Sequence, residues 1–99
     1  MSRFDVYLHP DGDGFLLDVQ ADILSLLKTR VVVPLMPHDG APKPMDRLNP
    51  VFDVGGKRVV MMTHYIAAVP AKILSDPVGD LGAQRHEVVD ALDFLQQGF

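Results

Sequence analysis

The chain has no cysteine among its 99 residues. That rules out a disulfide framework and a thiolate metal site, and it fits a reducing compartment. No apolar run approaches the roughly 20 residues needed to span a bilayer. No charged segment followed by an apolar stretch opens the chain, so no signal peptide is expected. The expectation is a cytoplasmic protein with no membrane partner. Positive charge is also scarce. Lys and Arg number 9 against 13 Asp and Glu, for a net charge of −4, and the closest basic pairing is Lys57-Arg58. A nucleic-acid binder usually carries a basic stripe, so direct DNA or RNA binding is disfavoured as the main activity.

The titratable residues do not assemble into a recognisable site either. His9, His38, His64 and His86 are not paired at metal-ligand spacing, and no thiol joins them. No metal or other cofactor is therefore expected. Gly12, Gly14 and Gly55-Gly56 fall in turn-like contexts and do not open a helix, so they read as hairpin turns and not phosphate loops. Thr63 and His64 are neighbours, but adjacent strand residues point to opposite faces. A direct dyad would require the strand to have ended there. Asp18, Asp22, Asp46 and Asp53 could do acid–base work, yet their spacing singles out no pair, and solvated loops and caps explain most of them.

Hydrophobic residues make up 47% of the chain, enough for one small core. A domain of this size buries only about two-thirds of its unfolded surface, so dimerisation would be a natural way to cover more. Phe4, Val6 and Leu8 alternate with Asp5 and Tyr7, which is strand periodicity. The turn-rich stretch 10–14 leads to a second strand at Phe15–Val19. Arg30–Val33 reads as a buried strand, with Pro34 marking its end or a bulge. The segment 36–50 holds four prolines and reads as an irregular excursion with short edge pairings. Residues 51–63 form a hairpin around Gly55-Gly56, and Tyr65–Pro70 is a further strand whose small residues suggest close approach by another element. From about Gln84 the period changes: Val88, Leu92, Leu95 and Phe99 share one face of a helix of about three turns.

Two regions carry functional interest. In Ala21–Leu27 a strand gives way to a segment bearing Ile23, Leu24, Leu26 and Leu27, which is either a loop over the core or an interface. The helix ends in Gln96-Gln97-Gly98-Phe99. Gly98 suits the left-handed position past a helix end, with Phe99 folding back near Phe94 in a Schellman-type cap. The same placement also suits a tail presented to a partner.

Five segments, in one register, resemble the CcdB family of toxins from type II toxin–antitoxin systems: Phe4-Asp5-Val6-Tyr7, Asp18-Val19-Gln20-Ala21-Asp22-Ile23, Val32-Val33-Pro34-Leu35, Met61-Met62-Thr63 and Ala68-Val69-Pro70. The resemblance implies that residues 1–99 are a single CcdB-like domain, mainly β with a C-terminal α-helix. The fold would be an SH3-like β-barrel with a small additional sheet, to which the Pro-rich segment would correspond. It further implies a homodimer, not an enzyme, that binds the DNA gyrase A subunit, traps the cleaved gyrase–DNA complex and is neutralised by a CcdA-like antitoxin. Matched gyrase-binding positions are Ile23, Leu24, Asp93, Gln96, Gln97, Gly98 and Phe99. Matched dimer or antitoxin contacts are Phe4, Tyr7 and Ala21. Where the family usually carries an aromatic residue and Trp, this chain has Gln96 and Gln97, which offer hydrogen bonds but no π face. Gyrase poisoning would be weakened accordingly. A non-toxic antitoxin-binding relative, and an mRNA endonuclease toxin of the same fold (MazF or Kid type), are the alternatives.

Overall fold

A computed structural model describes residues 2–41 and 43–98. The strands are β1 (Asp5–Leu8), β2 (Phe15–Asp18), β3 (Thr29–Pro37), β4 (Val51–Val54), β5 (Lys57–Met61), β6 (Ala67–Pro70) and β7 (Gly79–Asp80), followed by helix α1 (Arg85–Gln97). All observed strand pairings are antiparallel. They form one sheet in the order β4-β5-β3-β2-β1-β7, with β6 also on β3, and the sheet curls into a nearly closed barrel. The fold is mainly β with one C-terminal helix, as expected.

The hairpins form where turn chemistry allows. Between β4 and β5, Gly55 and Gly56 both take positive φ (57° and 81°), the requirement of a two-residue primed turn. Gly14, before β2, has φ 92°, and a Cβ there would lie 2.3 Å from the Leu35 carbonyl oxygen. Its lack of a side chain is what lets the first hairpin lie against β3.

Pro34 departs from expectation: β3 runs through it for nine residues. The reason is that β3 changes partner there. On one side it pairs with β6 through Val32 and with β5 from Leu35 onward. The Pro34 carbonyl accepts from the Met62 N–H on that side (2.9 Å). A strand residue's N and carbonyl face the same way, so the missing N–H falls in the gap between β6 and β5, and the ladder with β2 is intact.

The Pro-rich segment also differs from the wing it was expected to supply. Among the described residues 38–50 there is no strand, only a 3-10 turn at His38–Gly40 and a turn around Asp46–Leu48. The projecting hairpin is β4–β5, joined to the far end of β3. The segment is instead tied to the barrel through Asn49. Its Nδ2 donates to the Met61 carbonyl (3.0 Å), and its Oδ1 accepts from the Met45 N–H (3.1 Å).

One face of the sheet, with Val6, Leu17, Val33, Leu35 and Met61, packs under α1 through Val88, Ala91 and Leu92. Burying side chains of this size contributes about 1.5–3 kcal/mol each. The other face holds Tyr7, Leu16 and Val32 under Leu74. It also holds the buried ion pair of Arg30 with Asp18. Phe4 precedes β1 at φ 75°, a left-handed conformation that costs a non-glycine residue about 1–2 kcal/mol. Its backbone bridges the sheet end: Phe4 N–H donates to the Asp18 carbonyl (2.7 Å), and the Phe4 carbonyl accepts from Leu81 N–H (2.8 Å).

Candidate functional site

The segment after β2 is fixed by one buried side chain. The Gln20 amide nitrogen donates to the Leu24 carbonyl (2.8 Å), while its oxygen accepts from Val31 N–H (3.0 Å). Arg3 N–H donates to Asp22 Oδ1 (2.7 Å), and Arg3 Nε to the Val19 carbonyl (3.2 Å). Asp22–Leu24 form a 3-10 turn whose apolar side chains point outward. Ile23 is 89% exposed and Leu26 96%, with Leu24 and Leu27 about half exposed. Gln20 is thus buried with its side chain satisfied at both ends of a segment that leaves four large aliphatic residues about half or more in water.

This loop and α1 form the two walls of a groove of about 410 Å3. Val19 just past β2 and Val31 on β3 line it, together with Leu24 and Leu27 from the loop and Val89 and Leu92 from the helix. Arg3, Asp93 and Gln96 add polar groups. A mostly apolar cleft with a few polar groups around it is the usual form of a binding site. Of the residues named from the sequence, Ala21, Leu24, Asp93 and Gln96 line this groove, and Ile23 lies beside Leu24 on the same turn.

Gln96, Gln97 and Gly98 are exposed. Gly98 takes the left-handed conformation (φ 80°), and its N–H donates to the Phe94 carbonyl (2.8 Å). That single bond is the simpler left-handed helix ending. The second bond of a Schellman cap would come from Phe99, which lies outside the described residues, as does its proposed contact with a partner.

Phe4 and Tyr7 are corrections. As dimer or antitoxin contacts they would have to offer their side chains to a partner, yet Phe4 is 8% and Tyr7 0% exposed. Phe4 packs in the core under α1, with the Arg3 guanidinium over its ring at 4.8 Å. Tyr7 packs under Leu74, and burial, with the charges of Asp5 and Asp18, pushes its phenol pKa up.

The catalytic candidates separate. β5 has ended before Thr63, but its hydroxyl donates to the Leu48 carbonyl, so it makes no dyad with His64. Asp18, one of the four acidic residues considered for acid–base work, accepts from Arg30 in the interior, where burial pushes its pKa up against the hydrogen bonds from Arg30 and Gln20 N–H. Enclosure keeps that pair from any substrate. A second cleft of about 500 Å3, beside the β4–β5 hairpin, brings His38, Asp53, Arg58 and Gln84 together. Only the folded hairpin creates this proximity, since the residues span 46 positions (84 − 38) of the sequence. Among the described residues no group of three or more His, Cys, Asp or Glu could hold a metal ion, and no helix is long and apolar enough to cross a membrane.

Among solved structures, the chain is similar to an endoribonuclease in complex with its cognate antitoxin, from a mycobacterial species. The TM-score is 0.79 and the identity 16%, over 100% of this chain and 98% of that one. At that identity the likeness concerns the fold. The family model for CcdB protein matches residues 3–98, which includes the β2 end, the groove and the whole of α1. The chain belongs to the CcdB protein family.

Proposed function

We propose that this protein is the toxin of a type II toxin–antitoxin system, a homodimer that binds the DNA gyrase A subunit and traps the cleaved gyrase–DNA complex until a CcdA-like antitoxin removes it. The toxin class follows from the family. The observation that carries the finer reading is the convergence of Leu24, Asp93 and Gln96 on one groove, with exposed Ile23 and Gln97 beside it. A loop and a helix end come together there in a surface with apolar area and few charges, suited to an α-helical partner and not to a phosphodiester. On this reading the protein is not an enzyme. Homodimerisation is supported by β6, which among the described residues pairs only with β3 and exposes Ala67 and Ala68, small residues that let a second backbone approach.

The tail tempers potency. An aromatic ring can stack on a target arginine for roughly 0.5–2 kcal/mol, and exposed Gln97 has no ring to offer. A gyrase cleavage assay with purified protein tests the proposal: linear DNA should accumulate with dose. Harmless accumulation of folded protein in a gyrase-sensitive host would instead mark a non-toxic antitoxin-binding relative.

The cleft with His38 and Arg58 favours a second reading, an RNA endonuclease with His38 as base and Arg58 steadying a phosphate. The cleft's cation, Arg58, lies 3.8 Å from the Asp53 carboxylate, and Asp39 lines the adjoining cleft, so no net positive charge is left for a phosphate, which weakens this reading. RNA cleavage abolished by His38→Ala would establish it.

A further inference from the structure

We propose that Arg47 is a positioning residue for the C-terminal turn of α1, latching the Pro-rich segment to the helix so that Asp93, Gln96 and Gln97 stand as a fixed surface. The proposal rests on the gyrase-binding reading for what that surface contacts. For the latch itself it rests on the geometry alone.

Helix α1 is held to the core by Val88, Ala91 and Leu92. Beyond Leu92 no described residue of the helix is buried: Phe94 and Leu95 are half-buried, and Gln96, Gln97 and Gly98 are exposed. A last turn with so little packing frays. Arg47 reaches it from 43 residues away. Its Nε donates to Asp90 Oδ2 (3.1 Å) and its Nη2 to Asp90 Oδ1 (2.8 Å), a two-pronged carboxylate contact. The guanidinium carbon also lies 4.9 Å from the centre of the Phe94 ring. Asp90 and Phe94 are four residues apart and share one helix face. One planar group therefore grips the helix on both sides of Leu92.

The grip needs a firm base, and Arg47 has one. Asn49 N–H donates to the Met45 carbonyl (2.7 Å), closing the turn that carries Arg47. The Asn49 side chain then ties that turn to Met61, and the Thr63 hydroxyl ties it to Leu48. The Arg47 hydrogen bonds to the accepting Asp90 carboxylate, with the negative charges of Asp90 and nearby Asp93, hold the guanidinium more firmly protonated than usual. Lysine could supply the charge at this position, but not the fork and the flat face together.

The test compares Arg47→Lys with Arg47→Ala in the full-length protein. Amide hydrogen exchange is measured residue by residue in α1, and affinity is measured for the purified gyrase A subunit. Both variants should speed exchange from Phe94 to Gly98 by about tenfold, leave Val88 to Leu92 unchanged, and weaken gyrase binding by about tenfold. Arg47→Lys exchanging and binding like the wild type would overturn the proposal, because charge alone would then suffice. So would faster exchange with unchanged affinity, since the turn's order would not matter to the surface. If the wild type fails to bind gyrase at all, the functional reading falls, and the latch is judged by the exchange pattern alone.

Discussion

Arg30 on β3 and Asp18 at the end of β2 form an ion pair with no solvent exposure on either side chain, the Arg30 Nε donating to Asp18 Oδ2 at 2.8 Å. Asp18 sits two residues before the groove loop begins at Gln20, whose N–H also donates to Asp18 Oδ1 (2.9 Å). The interior polar pair therefore holds the start of the loop that presents Ile23 and Leu24.

Removing one partner leaves the other charge buried and alone. Arg30→Met or Asp18→Leu should each cost about 3–5 kcal/mol of stability, whereas the double variant should recover most of that loss. Urea unfolding of the three variants checks this, and additive losses would show that the pair is not a coupled unit.

Among the described residues, no hydrogen-bond partner lies within normal distance and angle of the buried Tyr7 hydroxyl. Deleting an unpaired hydroxyl releases a desolvated group, so Tyr7→Phe should change stability by less than about 1 kcal/mol in either direction. Partner affinity should stay at the wild-type value, because the ring faces the core. A loss of binding without a loss of stability would return Tyr7 to the interface.

Ile23 and Leu26 are the most exposed large hydrophobic residues among those described. Replacing both by Ser should leave stability within about 0.5 kcal/mol and weaken gyrase or antitoxin binding by about tenfold. Calorimetry beside a thermal melt separates the two effects.

Asp90 is held below its ordinary carboxylate value of 3.8 by the Arg47 hydrogen bonds. A depressed folded-state pKa means its contribution is complete above the unfolded value and is lost as pH falls through the folded one. The Asp90 carboxyl, followed by NMR, should therefore titrate at a lower pH in the wild type than in Arg47→Ala, and the exchange of the last helical turn should rise only at the acid end of the range.

Elements made by local periodicity were legible in the sequence. The β1–β2 and β4–β5 hairpins follow from alternation and glycine turns, and α1 with its Gly98 ending follows from helical spacing. What depended on distant partners was not. β7 is two residues long and exists only because β1 offers an edge to Gly79 and Asp80. Pro34 reads as a strand end unless one knows that β3 changes partner there. Asp18 falls within the second strand read from the sequence, but nothing there pairs it with Arg30. Arg47 and Asp90 carry no shared motif, and only the fold brings them together. For the site, the helix end and the Ile23–Leu24 turn were both visible as isolated pieces. The groove joining them required the third dimension, and the burial of Phe4 and Tyr7 depended on which neighbours covered them.

Gln97 is exposed, so Gln97→Trp should fold normally and add one stacking contact of roughly 0.5–2 kcal/mol, which tightens gyrase binding by about twofold to thirtyfold. The most direct measurement titrates wild type and Gln97→Trp into gyrase, ATP and supercoiled plasmid and quantifies linear DNA after the enzyme is denatured. Linear DNA should accumulate with both proteins, at lower concentration with Gln97→Trp. The absence of linear DNA with either protein, at concentrations where both remain folded, would contradict a gyrase-directed toxin.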